Sequence, residues 1–195
     1  VTGDLGISKA GSGAGTIGTA ISAMIDARLW NTFRLAGMVA IISIPLSLGL
    51  GLLAAMYPGT RLDRVLTFST LSLISVPEFL IATFLVLILA VKLGWLPSIA
   101  FMSGSETGWQ LARKLAMPVL TLVIVVSAQI IRMTRATVLN VMSSPYIEMA
   151  ILKGVPRNRI ILRHALFNAI GPIVNVIALN LAWLVSGVVI VETIF

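Results

Sequence analysis

Four long apolar runs dominate this chain: Leu35–Met56, Val65–Val91, Leu115–Ile131 and Ala165–Phe195. Each runs close to or beyond the roughly 20 residues that carry a helix across a hydrocarbon core of ~30 Å. A chain with such runs has little polar surface left to cover a water-soluble globule. Of its 195 residues 58% are hydrophobic and 11% charged, against roughly 25% charged in an average soluble domain. With a mean hydropathy of +1.04, the expected class is an all-α integral membrane protein, a multi-helix transmembrane bundle in which four spans are visible. The net charge of +7 does not point to nucleic acid. The basic residues lie beside apolar runs rather than on an aromatic-interleaved soluble face, as positive-inside topology predicts. The chain lacks cysteine, which excludes disulfides and thiolate metal sites.

Residues 1–34 read as an extramembrane segment and helix lead-in, and residues 35–195 as the membrane core. Gly13-Ala14-Gly15-Thr16-Ile17-Gly18 formally matches G-x-G-x-x-G. It lacks the preceding strand and the following acid that dinucleotide binding needs. In the first run Ser43, Ser47, Gly51 and Ala55 recur every four residues, a ridge of small side chains where another helix can approach closely. Tyr57–Arg64 reads as a short turn stopped by Pro58-Gly59. In the second run, Ser75-Val76-Pro77-Glu78 predicts a break or kink, with a new helix starting near Val76. The capping pattern explains Glu78 as a partner for orphan amides; the other reading is a transport role, since a carboxylate at membrane depth is costly. Trp95 and Trp109 in the following loop suit a membrane interface, which alternation places outside.

The third run continues into Gln129, Arg132 and Arg135 on one face. These either contact headgroups by snorkelling or line a cytoplasmic mouth. In the last run Asn168, Asn175, Ala182 and Ser186 form a loose polar or small stripe, suited to interhelical hydrogen bonds or to a pathway lining. Glu192 falls where this helix reaches the outer interface.

Between the third and fourth runs lies a polar, basic stretch, Pro145–Pro172. It reads as two short helices spanning about residues 143–164. Pro145 opens the first, with Glu148 near its positive dipole end, and Gly154 terminates it. Pro156 opens the second, which carries Arg157, Arg159 and Arg163. The elbow is too short and charged to span a bilayer, and Ile147, Ala150 and Ile151 are expected to form an apolar side for another protein.

Glu148-x-Ala150-x-x-x-Gly154 resembles the Glu-Ala-Ala…Gly loop of binding-protein-dependent ABC transporter permeases. Further segments resemble the dipeptide/oligopeptide/nickel subfamily: Gly3-Asp4-Leu5-Gly6, Asn31-Thr32, Val91-Lys92-Leu93-Gly94-Trp95-Leu96-Pro97, Arg163-His164-Ala165-Leu166 with Asn168-Ala169, and Val191-Glu192-Thr193-Ile194-Phe195. The opening pattern is that of its B-type permease. Met149 departs from the second motif position, and His164 and Phe167 stand where the broad family has Ile and Pro; residues 9–27 match poorly. The resemblance implies a permease subunit of an ATP-driven importer in a bacterial or archaeal cytoplasmic membrane. It implies six helices, of which two lie outside this chain, read as a fragment. The implied partners are two cytoplasmic ATP-binding subunits, a second, C-type permease and an extracytoplasmic solute-binding protein. Glu148, Ala150, Gly154, Arg157 and Arg159 then become the ATPase-coupling residues, and Glu78, Asn168 and Asn175 the candidates for a pathway or helix break. The chain has no G-x-x-x-x-G-K-[ST], so energy must enter through a contact surface.

Two other classes compete. A secondary transporter or channel without an ATPase would use Glu78 to relay protons or bind cations, but leaves the elbow without a purpose. A membrane enzyme finds one histidine, no cysteine and no H-E-x-x-H to work with. His164, beside arginines, reads as a local hydrogen-bonding or headgroup contact, not a metal ligand. No cofactor is expected. The cargo stays open between peptides, nickel chelates, glutathione and oligosaccharides.

Overall fold

A computed structural model describes the backbone of residues 21–97 and 108–194, with side chains over 29–97 and 108–184. The expectations on residues 3–18 and Phe195, and on the side chains of Ser186 and Glu192, lie outside these described residues. The elements are helical: α1 Ile21–Met56, α2 Arg61–Ser75, α3 Glu78–Leu85, α4 Gly108–Met142, α5 Pro145–Leu152, α6 Arg157–Arg159 and α7 Leu166–Ile194. Two wider π-helical stretches extend this framework. Val86–Lys92 prolongs α3, and Ile160–Ala165 joins α6 to α7 without a break. Among the described residues three helices are long and apolar enough to cross a membrane: Leu29–Met56, Gly108–Met142 and Arg157–Leu184. The chain therefore folds as an all-α membrane bundle.

α4 is the central helix. In its most apolar window 61% of residues are buried, against 33% in the first crossing helix and 17% in the last, so the other helices pack around it. Toward one end, Leu35, Ala36 and Val39 of α1 meet Leu115, Leu122, Val126 and Ile130 of α4 and Leu184 of α7. Toward the other, Ala55 and Val138 join Ile147 of α5 and Ile160, Ile161, Ala165, Ala169 and Ile173. The π-helical stretch explains the second cluster. Five residues separate Ile160 from Ala165, and the wider turn keeps both inward before the ordinary four-residue spacing resumes at Ala169 and Ile173.

The small-residue ridge is a packing surface. Ser43, Ser47 and Ala55 are buried, and a Cβ on Gly51 would lie 2.8 Å from Thr134 Cβ and 2.9 Å from the Ile131 carbonyl oxygen. Only a glycine lets α1 cross α4 this closely. α1 runs on through Pro45 as helix.

The second apolar run is two helices meeting at 104°. The break falls at the expected place, but the new helix starts at Glu78 with Pro77 as its N-cap. Tyr57–Arg64 is shorter as a turn than its composition suggests. Gly59 takes a left-handed φ of 75°, Thr60 caps α2 by accepting from Asp63 N–H at 3.3 Å, and Arg61 and Arg64 already belong to that helix. Contacts advance along α4 from Arg135, beside Asp63, through Val125 and Gln129, beside Glu78, to Arg113, whose guanidinium donates to the Trp95 carbonyl at 3.1 Å. Both arms thus travel the same way along α4, with Glu78 at the apex of the bend.

Candidate functional site

The elbow is built from strict local chemistry. Ser144 is extended, and Pro145 follows it at the first helical position, where a missing N–H costs nothing. The Ser144 hydroxyl donates to the Val141 carbonyl at 2.5 Å, tying the elbow to the end of α4. At the other end Gly154 has φ 72°. Its N–H donates to the Ile151 carbonyl at 2.9 Å, and the Val155 N–H donates to that of Ala150 at 3.2 Å. This pair of bonds is a Schellman closure, which requires a left-handed residue at Gly154's position. Pro156 then starts α6 in an extended conformation.

Which face of the elbow looks outward differs from the expectation. Ile147 is fully buried among Val138, Ile160 and Ile161, and half-buried Ala150 packs against the same cluster. They anchor α5 to the bundle; only Ile151 of the expected trio faces out. The exposed apolar surface is Ile151 with Tyr146, Met149 and Leu152, the last 80% exposed. Glu148, Lys153, Gly154, Arg157 and Arg159 are exposed around it. A short, firmly closed helix thus presents an apolar patch bordered by one carboxylate and several cations.

Beside this end lies a pair that the sequence did not suggest. Asp63 is buried and accepts two bonds from Arg135, Nε at 2.5 Å and Nη2 at 2.9 Å. It also accepts from the Gly59 N–H at 2.8 Å and the Thr67 hydroxyl at 3.4 Å. Arg135 is therefore held to α2 rather than snorkelling to headgroups. The acid in the first turn of a helix, after a Pro-Gly stop, was the available signal.

The second cluster surrounds Glu78. Sequence spacing suggested that its carboxylate would cap the restarted helix, and it does not. No side chain caps α3, and Ser75 Oγ instead donates to the Leu71 carbonyl at 2.9 Å. Both Glu78 carboxylate oxygens are buried without a hydrogen-bond partner among the described residues. They line a cavity of about 340 Å³ with Leu73, Ile74, Val76, Val125, Gln129, Leu179, Asn180 and Trp183. Val125 is the midpoint of α4, so the cavity lies deep in the span. Asn168 and Asn175 are not part of it. Both are exposed on α7, as is Ala182, and Asn168 Nδ2 donates to the His164 carbonyl of its own helix at 2.8 Å. Asn180 and Gln129 are the carboxamides that reach Glu78's cavity. Asn180 went unnoticed because it sits off the near-heptad stripe. No cluster of three or more metal-ligating side chains occurs among the described residues.

An all-α bundle with several helices long and apolar enough to cross a membrane defines a multi-pass membrane protein. Residues 47–195 match the family described as binding-protein-dependent transport system inner membrane component. The chain belongs to that family. It is 31% identical over 180 residues to the oligopeptide transport system permease protein AppB of Bacillus subtilis (strain 168), covering 91% of this chain and 57% of that one. A probable peptide ABC transporter permease protein, y4tP of Sinorhizobium fredii, is 34% identical, over 91% of this chain and 57% of its own length. The glutathione transport system permease protein GsiC of Escherichia coli O6:H1 is 33% identical over all of this chain and 59% of its own length. The chain thus spans somewhat more than half the length of these relatives.

Proposed function

We propose that this chain is part of the B-type permease subunit of an ATP-driven importer that carries short peptides or peptide-like solutes across a bacterial or archaeal cytoplasmic membrane. The observation that carries this reading is the elbow. Its apolar patch of Met149, Ile151 and Leu152, bordered by Glu148, Arg157 and Arg159, is rigidly mounted on the bundle through Ile147 and suits a groove on an ATP-hydrolysing partner. Two ATP-binding subunits would dock there, one on this chain and one on a second, C-type permease. A solute-binding protein would deliver cargo on the opposite face.

Charge supports the orientation. Arg61, Arg64, Arg132, Arg135, Lys153, Arg157, Arg159 and Arg163 lie toward the elbow end, which the positive-inside tendency places in the cytoplasm. The peptide cargo rests on the names of the relatives. In mechanism, the patch moves with its partner as the ATPases close. The Schellman closure and buried Ile147 transmit that movement to α4 and α7 instead of absorbing it. Hydrolysis belongs to the partners.

Substituting Gly154→Leu in the full-length transporter tests this. The left-handed turn is strained for any side chain with a Cβ, whatever the space around it. The variant is expected to insert and assemble in the membrane but to lose most peptide-stimulated ATP hydrolysis and uptake. Wild-type values for both would refute the docking role.

A further inference from the structure

The cavity at the apex of the bend holds an acidic side chain, the only one among the described residues whose buried polar atoms have no partner. Two carboxylate oxygens are buried there with no partner among the described residues. Removing a carboxylate from water is unfavourable unless a cation or strong donors replace the water. The fold shows what has been arranged around it. Gln129 of α4 and Asn180 and Trp183 of α7 line the same space. One of the two Asn180 Nδ2 protons is committed to the Val176 carbonyl at 2.8 Å, and its Oδ1 is available as an acceptor. Carboxylate oxygens, carboxamide oxygens and an indole face all favour positive charge.

We infer that this cavity is a membrane-depth site for the primary ammonium group of the cargo, with Glu78 as its counter-charge. An ammonium offers three donors, matching two carboxylate oxygens and one carboxamide oxygen, with Trp183 beside it for a cation–π contact. A divalent metal fits less well. Calcium takes about six to eight oxygens, and a single carboxylate with neutral carboxamides supplies too little charge. The inference rests on the importer reading for its cargo. It adds that the permease itself, not only the delivery protein, discriminates solutes carrying a free amine. The 104° break is what makes this possible. A straight helix through Ser75–Glu78 would carry the carboxylate along a continuous wall, whereas the bend turns the apex toward α4 and α7.

The test uses the full-length chain assembled with its co-purifying subunits in lipid nanodiscs. Alaninamide, which bears a primary ammonium, is titrated against N-acetylalaninamide, which bears none. The readout is the tryptophan fluorescence lost in a Trp183→Phe variant. A saturable response to alaninamide alone is expected, weakened at least about tenfold in Glu78→Gln, as for loss of a charge-assisted bond, and partly retained in Glu78→Asp. Thermal unfolding of the assembled variants shows that the substitutions leave the fold intact. Equal responses to the two probes, or an unchanged affinity in Glu78→Gln, overturn the inference. So does a Glu78→Gln subunit that fails to assemble while Glu78→Asp assembles, which would assign the carboxylate to a cation on another subunit. ATP-dependent uptake of tri-alanine into proteoliposomes separates the two levels. Alaninamide binding without any uptake refutes the importer reading and leaves the site; full uptake by Glu78→Gln refutes the site and leaves the importer.

Discussion

At the scale of single residues, the elbow separates anchoring from contact within one eight-residue helix. Ile147 is fully buried and Leu152 is 80% exposed, although they are only five positions apart. Their substitutions should therefore do different things. Ile147→Ala removes a buried side chain from a packed cluster and is expected to cost about 2–5 kcal/mol, seen as a lowered unfolding midpoint of the purified subunit. Leu152→Ala should leave that midpoint within about 0.5 kcal/mol of wild type and still reduce cargo-stimulated ATP hydrolysis in the assembled transporter. Equal stability losses in both variants would mean that Leu152 also packs on the bundle. Glu78 shows the converse case, a residue whose local pattern named a task it does not perform. Ser-x-x-Glu spacing is compatible with a capping box, but Pro77 occupies the cap and the Ser75 hydroxyl turns back to its own helix. The carboxylate is left free to face the cavity.

At the scale of elements, two contacts hold the bundle's geometry. The first is the crossing of α1 over α4 at Gly51. A methyl group there would come within 3 Å of Thr134 and of the Ile131 carbonyl, and backbone cannot yield as a side-chain tip can. Gly51→Ala is expected to destabilise by about 1–3 kcal/mol through overpacking. Gly51→Leu should prevent α1 from docking, read as protease sensitivity of membrane-inserted protein. The second is the bidentate Asp63–Arg135 bond, which ties the start of α2 to the elbow-side half of α4. Asp63 is buried, so Asp63→Asn leaves the guanidinium poorly matched, at about 3 kcal/mol by analogy with broken buried pairs. The double variant with Arg135→Gln should lose clearly less than the sum of the two single losses in denaturant unfolding. Strict additivity would show that the two residues are not coupled.

At the scale of the whole molecule, the bundle has two chemically different ends. The elbow, the α1–α2 turn and the Asp63–Arg135 pair share one end, because Ala55, Val138 and Ile147 pack together. Trp95 and Arg113 meet at the other. Since the chain has no native cysteine, single cysteines report sidedness directly. Ser143→Cys and Trp109→Cys are expected to react with a membrane-impermeant maleimide from opposite faces, the former only in inside-out vesicles. Labelling of both from one side would contradict the crossing of α4. α7 buries few of its residues within this chain, and its exposed face carries Asn168, Asn175 and Ala182. In the proposed assembly that face meets lipid, further helices or the second permease.

Much of this architecture was legible from residue order. Apolar length determined which stretches cross, because unsatisfied backbone groups in lipid force a helix. Small residues every four positions marked the face of α1 that another helix approaches closely, and Gly154 and Pro156 marked the turn of the elbow, because left-handed and proline backbones leave few alternatives. Those rules act within a few residues or along one helix face. What tertiary structure decided lies between helices distant in sequence. It turned Ile147 and Ala150 inward by packing them on Val138 and the π-wound start of the last helix. It paired Asp63 with Arg135 across 72 positions, and it brought Asn180 and Gln129, rather than Asn168 and Asn175, to Glu78. Helix spacing says which side chains share a face. Only the packing of α2, α3, α4 and α7 against one another says what that face meets.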